Sequence, residues 1–399
     1  MHSTFATVFI LILASTQADK STLKFVQVFF RHGQRTPTHY LTFPTDPPDT
    51  AKQLPYECGE LTNTGKWQEY SLGANLRNEY AALIDYKYRP SQLRIFTGLD
   101  NRTTASAQLA LAGFLPPRDD QIWNSALLWQ PIPTVTAEII DHIVNADNYW
   151  SIFDSLIDLT KFLETKTGLY IPDLYVLQRV IDSIISRDSL RYLMPFPKWA
   201  DSKSFLSYIR KVQHRIHIDF MATFLEQIGG WHYDQIVGGM EDFINERSKH
   251  RIVMYSGHDT NTVTLSEFLK LNASYQALPN FASFLAFELH KIDGEFHVKV
   301  FFHNELNQTK HELHLNDCPV PCRFERFANL GYRRTSSNSW MLMCQHGIEA
   351  ECAFYQSLSG VFLVISVILA ASFFSTLWSC LSYRKKYRQL SDPETRPLL

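Results

Sequence analysis

The sequence predicts an α/β fold: a mixed sheet flanked by helices, with an inserted helical cap and one C-terminal transmembrane helix. Short apolar runs with strand character alternate with helical segments in residues 19–138 and again in residues 237–350. Residues 139–236 instead have long helical periodicities and few strand signals. Residues 358–382 are apolar and free of charge. The two α/β segments therefore predict one domain, interrupted by the cap.

The first α/β segment predicts two strands, each followed by a helix. Residues 23–30 form a run of bulky apolar side chains that is typical of a buried strand. A helix is predicted over residues 62–76, with Thr62 as its N-cap. Residues 92–96 predict the second strand, and residues 102–114, rich in Ala and Leu, the second helix.

The second α/β segment predicts one more strand and helix and then a hairpin. A short apolar strand is predicted over residues 251–255 and a helix over residues 260–271. Residues 283–291 and 296–303 predict two strands, which the turn at Asp293-Gly294 joins. The hairpin closes the predicted sheet.

Both ends of the chain predict a secreted, membrane-anchored protein. Residues 1–18 have an apolar core and small residues before Asp19, as expected of a signal peptide. Residues 358–382 are long enough, at about 1.5 Å each, to cross a hydrocarbon core of about 30 Å. Basic residues follow at once in the segment 383–399, which is therefore expected in the cytosol. We expect a single-pass type I protein whose ectodomain is luminal or extracellular.

The predicted cytosolic tail contains a candidate sorting signal. Tyr387 and Leu390 form a Tyr-x-x-Leu tetrapeptide close to the membrane. Endocytic adaptor proteins bind such tetrapeptides as extended strands. We expect adaptor binding here, and a steady-state location in lysosomes, in endosomes or at the cell surface.

Composition argues against a nucleic-acid partner. The formal net charge is −2, and the sequence contains no basic stripe.

In a luminal ectodomain, Asn272 and Asn307 head glycosylation sequons. Cysteines in such a compartment form disulfides by default. Zinc is the less favoured interpretation of the cysteines, because their spacings form no second metal-ligand pair. We expect neither a metal nor a cofactor.

The segment Arg31-His32-Gly33-Gln34-Arg35 carries the clearest chemical signal, because it directly follows a predicted strand. Ligands bind at the carboxyl ends of strands in open α/β sheets. Two guanidiniums beside an imidazole suit a multiply charged oxyanion, which each guanidinium can bind in a bidentate manner. Two later elements add to this signal: Arg102 after the second strand, and His258-Asp259 after the third.

In this order, the three elements resemble the signature of the histidine acid phosphatases, a branch of the histidine phosphatase superfamily. The resemblance covers residues 22–345 and implies a phosphoglycerate-mutase-like sheet domain. It also implies that His32 is a nucleophile that forms a phosphohistidine and that Asp259 is the proton donor. Arg31, Arg35, Arg102 and His258 would bind the phosphate. Small phosphate monoesters are the implied substrates.

Two general expectations about protonation follow from these roles. Nearby guanidiniums should lower the pKa of His32 and keep its ring neutral and nucleophilic at acid pH. Asp259 has to hold a proton to serve as an acid, which an acidic lumen and bound phosphate both favour.

The resemblance also bears on disulfides and assembly. The family has a short bridge like the one expected between Cys318 and Cys322. Cys344 has two candidate partners, Cys352 and Cys58. Trp129 occupies a position at which relatives form a dimer contact, so a homodimer is expected through this residue.

Two departures from the family pattern stand out. The residues before Arg102 are less acidic than in relatives, and cysteines expected in the central region and the cap are missing, as in an invertebrate-like variant. Two alternatives remain: a phosphatase selective for lysophospholipid, nucleotide or inositol phosphates, and a catalytically silent surface receptor. All six site positions are intact, which favours the enzyme.

Overall fold

The computed structural model describes residues 22–330 except 48–53, 137–148, 223–224, 272–277 and 307, together with residues 378, 379 and 381. The chain divides into two compact units, residues 1–337 and 338–399. The fold described below is that of the first unit. Its strands are β1 (Leu23–Arg31), β2 (Leu93–Thr97), β3 (Val135–Thr136), β4 (Ile252–Gly257), β5 (Phe284–Ile292), β6 (Glu295–His303), β7 (His311–Leu313) and β8 (Cys322–Arg323).

Helices account for most of the remaining described chain. They are α1 (Asn63–Tyr80), α2 (Asn101–Phe114), α3 (Tyr149–Ser155), α4 (Ile157–Thr167), α5 (Leu174–Ser189), α6 (Lys203–Ala222), α7 (Leu225–Ile244), α8 (Asp259–Leu269) and α9 (Phe324–Ala328). Short 3-10 turns lie at Asp119–Gln121 and Lys198–Ala200.

The sheet is mixed, as predicted, and its strand order is β3-β2-β4-β1-β5-β6-β7, with β8 paired to β6. The pairs β3-β2, β2-β4 and β4-β1 are parallel, whereas β5 runs antiparallel to β1 and to β6. The predicted strands and helices occur with ends that differ by a few residues. The short strands β3, β7 and β8 were not predicted, since two or three residues are too few to show a periodicity.

Alternation along β1 places a separate core on each face of the sheet. Phe25 and Phe29 pack with side chains of α7 and α8 on one face. Val26, Val28 and Phe30 pack with α1 and α2 on the other. Because successive strand residues point to opposite faces, this one apolar strand is buried on both sides.

The described residues between β3 and β4 are mainly helical, and this segment, called the cap below, has a core of its own. Side chains of α3, α4, α5 and α6 form a separate apolar cluster, to which Phe43 also contributes. A buried ion pair of 2.7 Å between Arg187 and Asp46 ties α5 to the loop that follows β1. The predicted cap boundary at residue 236 falls inside α7, whose Tyr233 and Ile236 pack in the core of the sheet domain.

A close approach of two glycines positions α1 against the loop after β1. A Cβ atom on Gly33 would lie 2.3 Å from the carbonyl oxygen of Gly65, a distance that real Cβ contacts essentially never reach. Thr62 caps α1, as predicted, by accepting a hydrogen bond from the Gly65 amide. The absence of side chains at positions 33 and 65 thus lets α1 begin directly beside the loop.

Among the described residues, no helix combines the length and the apolar character that a membrane span requires. The predicted span at 358–382 and the tail at 383–399 lie outside the described residues apart from positions 378, 379 and 381. The predicted signal peptide at 1–18 lies outside them as well.

Candidate active site

Strand register brings the three predicted elements to one edge of the sheet. Arg31, the last residue of β1, is paired with Gly257, the last residue of β4. Thr97, the last residue of β2, is paired with Ser256. His32, His258 and the start of α2 therefore emerge side by side at the carboxyl ends of parallel strands.

His32 lies at the bottom of the site and is 2% exposed. Its Nδ1 lies 2.8 Å from the carbonyl oxygen of Gly33. A carbonyl can only accept, so Nδ1 carries the hydrogen and Nε2 of the neutral ring keeps its lone pair. Burial lowers the pKa of His32 most, and the nearby His258 and Arg31 lower it further, so that it lies well below its ordinary value. A neutral ring with a free Nε2 is the form that can act as a nucleophile.

Each of the three predicted clamp arginines is paired with a carboxylate. Arg31 lies 2.8 Å from Asp259, Arg35 lies 2.8 Å from Asp182, and Arg102 lies 3.1 Å from Asp100. The Nε atoms of all three arginines are buried and have no hydrogen-bond partner among the described residues. The three guanidiniums line the same cavity as His32, an arrangement that suits a multiply charged oxyanion.

Asp182 on α5 is a site residue that the sequence analysis missed. Its carboxylate accepts hydrogen bonds from Arg35 and also from the backbone amide and hydroxyl of Thr38, at 3.0 and 2.9 Å. Burial alone would raise the pKa of Asp182, but Arg35 and these hydrogen bonds lower it. The cap therefore supplies the anion that holds Arg35 in place.

Asp100, the N-cap residue of α2, was missed as well. One of its oxygens lies 2.9 Å from Nε2 of His258, and the other accepts a hydrogen bond of 3.1 Å from Arg102. The hydrogen bond from His258 is the largest influence on the pKa of Asp100, and it lowers that pKa. One carboxylate thus orients both side chains. The residues before Arg102 are less acidic than in relatives, but Asp100 still stands two positions before Arg102. This acidic residue in the sequence could have identified Asp100 as part of the site.

Asp259 begins α8 and is 8% exposed. Burial would raise its pKa, but Arg31, His217, His258 and Arg35 outweigh burial and lower it to about 2. In this structure Asp259 is therefore a carboxylate paired with Arg31. This differs from the expectation that Asp259 holds a proton, because the nearest guanidinium contacts the carboxylate itself.

All six predicted site residues line one cavity of about 570 Å³. The sheet domain contributes its floor, with Arg31, His32, Asp259 and their neighbours. The cap contributes side chains that the sequence analysis did not single out, namely Tyr175, Gln178, Arg179, Asp182, Gln213 and His217. A volume between about 300 and 1,000 Å³ is typical of sites for small organic ligands. The cavity is therefore large enough for a phosphoryl group together with an organic leaving group.

The remaining predicted residues lie away from this cavity or outside the described residues. Cys318 and Cys322, the expected pair, form a disulfide. Cys58 is exposed and has no disulfide partner within the described part of the chain. Trp129 is half-buried. Residues outside the described part are Asn272, Asn307, Cys344, Cys352, Tyr387 and Leu390.

Comparison with known proteins agrees with the resemblance seen in the sequence. Residues 22–148 match the sequence model of the histidine phosphatase superfamily (branch 2). The chain is 28% identical to prostatic acid phosphatase of Bos taurus over 346 residues, which is 81% of this chain and 87% of the relative. It is also 28% identical to lysosomal acid phosphatase of Xenopus laevis, over 85% of this chain and 82% of the relative.

The fold is also found among solved structures. The phytase from Citrobacter braakii superimposes with a TM-score of 0.57 at 16% sequence identity, covering 79% of this chain and 98% of the phytase. At that identity the match supports a shared fold of a helix-flanked mixed sheet.

Proposed function

We propose, on the premise that this chain is a phosphatase related to the histidine acid phosphatases, that it hydrolyses phosphate monoesters through a phosphohistidine on His32. One observation carries the proposal: a buried imidazole with a free Nε2 shares a cavity with three guanidiniums and Asp259. Phosphoryl transfer requires little from a protein except an aligned nucleophile, cations around the phosphoryl oxygens and a proton for the leaving group.

In the first step, Nε2 of His32 attacks phosphorus, and the bond from phosphorus to the ester oxygen breaks. Arg31, Arg35, Arg102 and His258 surround the phosphoryl oxygens and stabilise their charge. The departing oxygen takes a proton from Asp259 and leaves as an alcohol or a phenol. In the second step, water attacks the phosphohistidine, Asp259 accepts a proton from that water, and His32 and inorganic phosphate are released.

The ion pair between Arg31 and Asp259 gives Asp259 a means of acquiring its proton. A phosphoryl dianion in the cavity competes with the carboxylate for Arg31 and adds negative charge nearby. Both effects raise the pKa of Asp259 from about 2. Protonation at acid pH then becomes coupled to substrate binding, and free Asp259 stays ionised. General acid catalysis of this kind contributes about 10² to 10⁴ in rate.

The test measures hydrolysis of phenyl phosphate at pH 5. It compares the purified wild-type ectodomain with its His32→Ala and Asp259→Ala variants. We expect His32→Ala to be inactive and Asp259→Ala to lose about 10²-fold or more in kcat. Comparable turnover by His32→Ala would overturn the mechanism. Lack of turnover by correctly folded wild type would overturn the proposed activity itself.

For location, we propose a type I anchor at 358–382, a luminal ectodomain and residence in lysosomes or endosomes. The lysosomal name of the Xenopus relative supports that compartment, and the Tyr387–Leu390 tetrapeptide supplies a route to it. An acidic lumen would also favour protonation of Asp259 when substrate is bound.

For assembly, we propose a homodimer through the segment that contains Trp129. Its neighbours Trp123 and Leu128 are 59% and 65% exposed. The carbonyl of Trp129 accepts a hydrogen bond of 2.6 Å from the indole nitrogen of Trp123, which fixes the shape of this surface. Exposed aromatic and aliphatic side chains grouped in this way are typical of an interface.

A further inference from the structure

A fourth arginine, Arg179, lines the same cavity but differs from the other three in its partners. Among the described residues, no carboxylate lies within ion-pair distance of Arg179, whereas Arg31, Arg35 and Arg102 each have one. Its Nε is buried and has no hydrogen-bond partner among the described residues. Arg179 is therefore, within the described part of the chain, the cavity-lining arginine that has no carboxylate partner.

Tyr175 holds the Arg179 guanidinium in one orientation. The guanidinium carbon lies 3.9 Å from the centre of the Tyr175 ring, and Nη2 donates a hydrogen bond to the Tyr175 hydroxyl. A stacked guanidinium loses little further freedom when it binds an anion, because the ring has already restricted it. The pair is thus a preorganised cationic surface.

Along α5, Arg179 lies between Asp182, which contacts the clamp residue Arg35, and the exposed Tyr175. Asp182, three residues later and on the same helical face, holds Arg35 at the floor of the cavity. Tyr175, four residues earlier, is 53% exposed. A leaving group that extends from a phosphoryl group at Arg35 along α5 towards Tyr175 would pass Arg179.

We propose that Arg179, supported by Tyr175, is a specificity residue that binds a second anionic group on the leaving group of the substrate. The preferred substrates are monoesters whose alcohol or phenol carries a carboxylate or another phosphate. This inference rests on the proposed function, since it assigns a role within the same cavity. The cavity of about 570 Å³ has the volume that such a leaving group requires.

A matched pair of substrates tests the proposal: 4-carboxyphenyl phosphate and the isosteric, neutral 4-carbamoylphenyl phosphate. The measurement is the ratio of kcat/KM for the anionic over the neutral ester at pH 5.5, where the carboxylate is ionised. We expect this ratio to fall about tenfold in Arg179→Gln, a typical loss for one charge-assisted contact. Arg179→Lys should retain part of the ratio, since lysine keeps the positive charge but lacks the bidentate hydrogen-bonding geometry of the guanidinium.

The control is Arg215→Gln, because Arg215 on α6 is not among the cavity-lining residues, and its side chain is 75% exposed. This variant should keep the wild-type ratio and the wild-type activity. Added salt should lower the wild-type ratio, since a contact near the mouth is partly screened.

An unchanged ratio in Arg179→Gln, or equal losses on both esters, would overturn the proposal while leaving the phosphatase mechanism intact. Failure of the wild type to hydrolyse either ester would instead count against the proposed function. The two failures are therefore distinguishable.

Discussion

Nη2 of Arg31 lies 2.8 Å from Oδ2 of Asp259, so the proposed phosphate clamp and the proposed proton donor are in direct contact. Both side chains are about one-tenth exposed. A phosphoryl oxygen that binds Arg31 therefore changes the electrostatic environment of Asp259 at once. Substrate binding and proton supply are coupled by this contact, and the first prediction rests on it.

Asp259→Asn should affect poor leaving groups more than good ones. Phenol is a poor leaving group that needs a proton, whereas p-nitrophenolate leaves readily as an anion. We expect kcat/KM for phenyl phosphate to fall about 10²-fold or more and that for p-nitrophenyl phosphate to fall at least tenfold less. Steady-state kinetics on both esters measures this, and equal losses would contradict the acid role of Asp259.

The same variant tests the sign of the pH dependence. Arg31 helps to keep the pKa of free Asp259 at about 2, and bound phosphate raises that pKa. The protonated fraction in the complex falls as pH rises. In the wild type, kcat for phenyl phosphate should therefore decline from about pH 5 towards pH 8. Asp259→Asn should lack this decline, and a wild-type optimum above neutrality would be inconsistent with it.

His32 should stay neutral in acid. Burial and the surrounding cations hold the pKa of His32 well below its ordinary value of about 6.5. Nitrogen-detected NMR of the free enzyme should show a hydrogen on Nδ1 and a bare Nε2 at pH 5, with the signal assigned from His32→Asn. An imidazolium signal at that pH would refute the electrostatic argument.

Asp182→Asn should weaken phosphate binding although Asp182 comes from the cap. Without the carboxylate charge, Arg35 loses its ion pair of 2.8 Å and is held less firmly, by its remaining hydrogen bond to the Thr36 carbonyl. We expect kcat/KM to fall about tenfold to a hundredfold, mainly through KM, as for loss of a hydrogen bond to a charged group. Asp188→Asn is the matched control on the same helix: Asp188 pairs with Arg191 and Arg210 and does not line the cavity. Similar losses in both variants would point to a general effect on the cap.

Glu69→Gln should stabilise the protein more at neutral than at acid pH. Glu69 on α1 is fully buried, both of its oxygens have no partner among the described residues, and burial raises its pKa well above the ordinary value. A raised pKa in the folded state means that Glu69 costs little stability below its unfolded pKa of about 4.5 and progressively more as pH rises above it. Glutamine removes this cost.

Chemical denaturation at pH 4 and pH 7.5 measures the effect. The gain of Glu69→Gln over wild type should be larger at pH 7.5. The exposed Glu267 gives the control, since Glu267→Gln should produce no such pH dependence. A gain that does not change with pH would refute the buried-acid argument.

Tyr387→Ala should leave the protein at the cell surface. The variant removes the aromatic residue of the proposed adaptor signal and leaves the ectodomain sequence unchanged. Surface biotinylation and endosomal co-localisation should show a shift from endosomes to the plasma membrane. An unchanged distribution would exclude a sorting role for Tyr387, and Tyr383→Ala serves as the neighbouring control.

The sequence was sufficient for the part of the site that strand ends supply. An apolar strand followed by Arg31-His32 is a local pattern, and parallel pairing brings the ends of such strands together without further information. His32, Arg102 and Asp259 were predicted from their places after such strands together with the resemblance to the histidine acid phosphatases. The register that pairs Arg31 with Gly257 was not predicted.

The cap contribution was not predictable in the same way. The contact of Arg35 with Asp182 joins residues 147 positions apart, and nothing in the helical pattern of α5 distinguishes Asp182 from the solvent-facing acids around it. Arg179 likewise reads as an ordinary polar residue of an amphipathic helix. The protonation state of Asp259 also depends on its distance from Arg31, and such a distance cannot be read from a sequence.

The most direct test of the mechanism is to trap its covalent intermediate. A phosphate monoester labelled at phosphorus is mixed with enzyme and quenched within milliseconds into alkaline denaturant, in which phosphohistidine survives, and the labelled peptide is identified by mass spectrometry. We expect label on the imidazole of His32 in the wild type and none in His32→Ala. Label on another residue, or full turnover without any labelled enzyme, would contradict it.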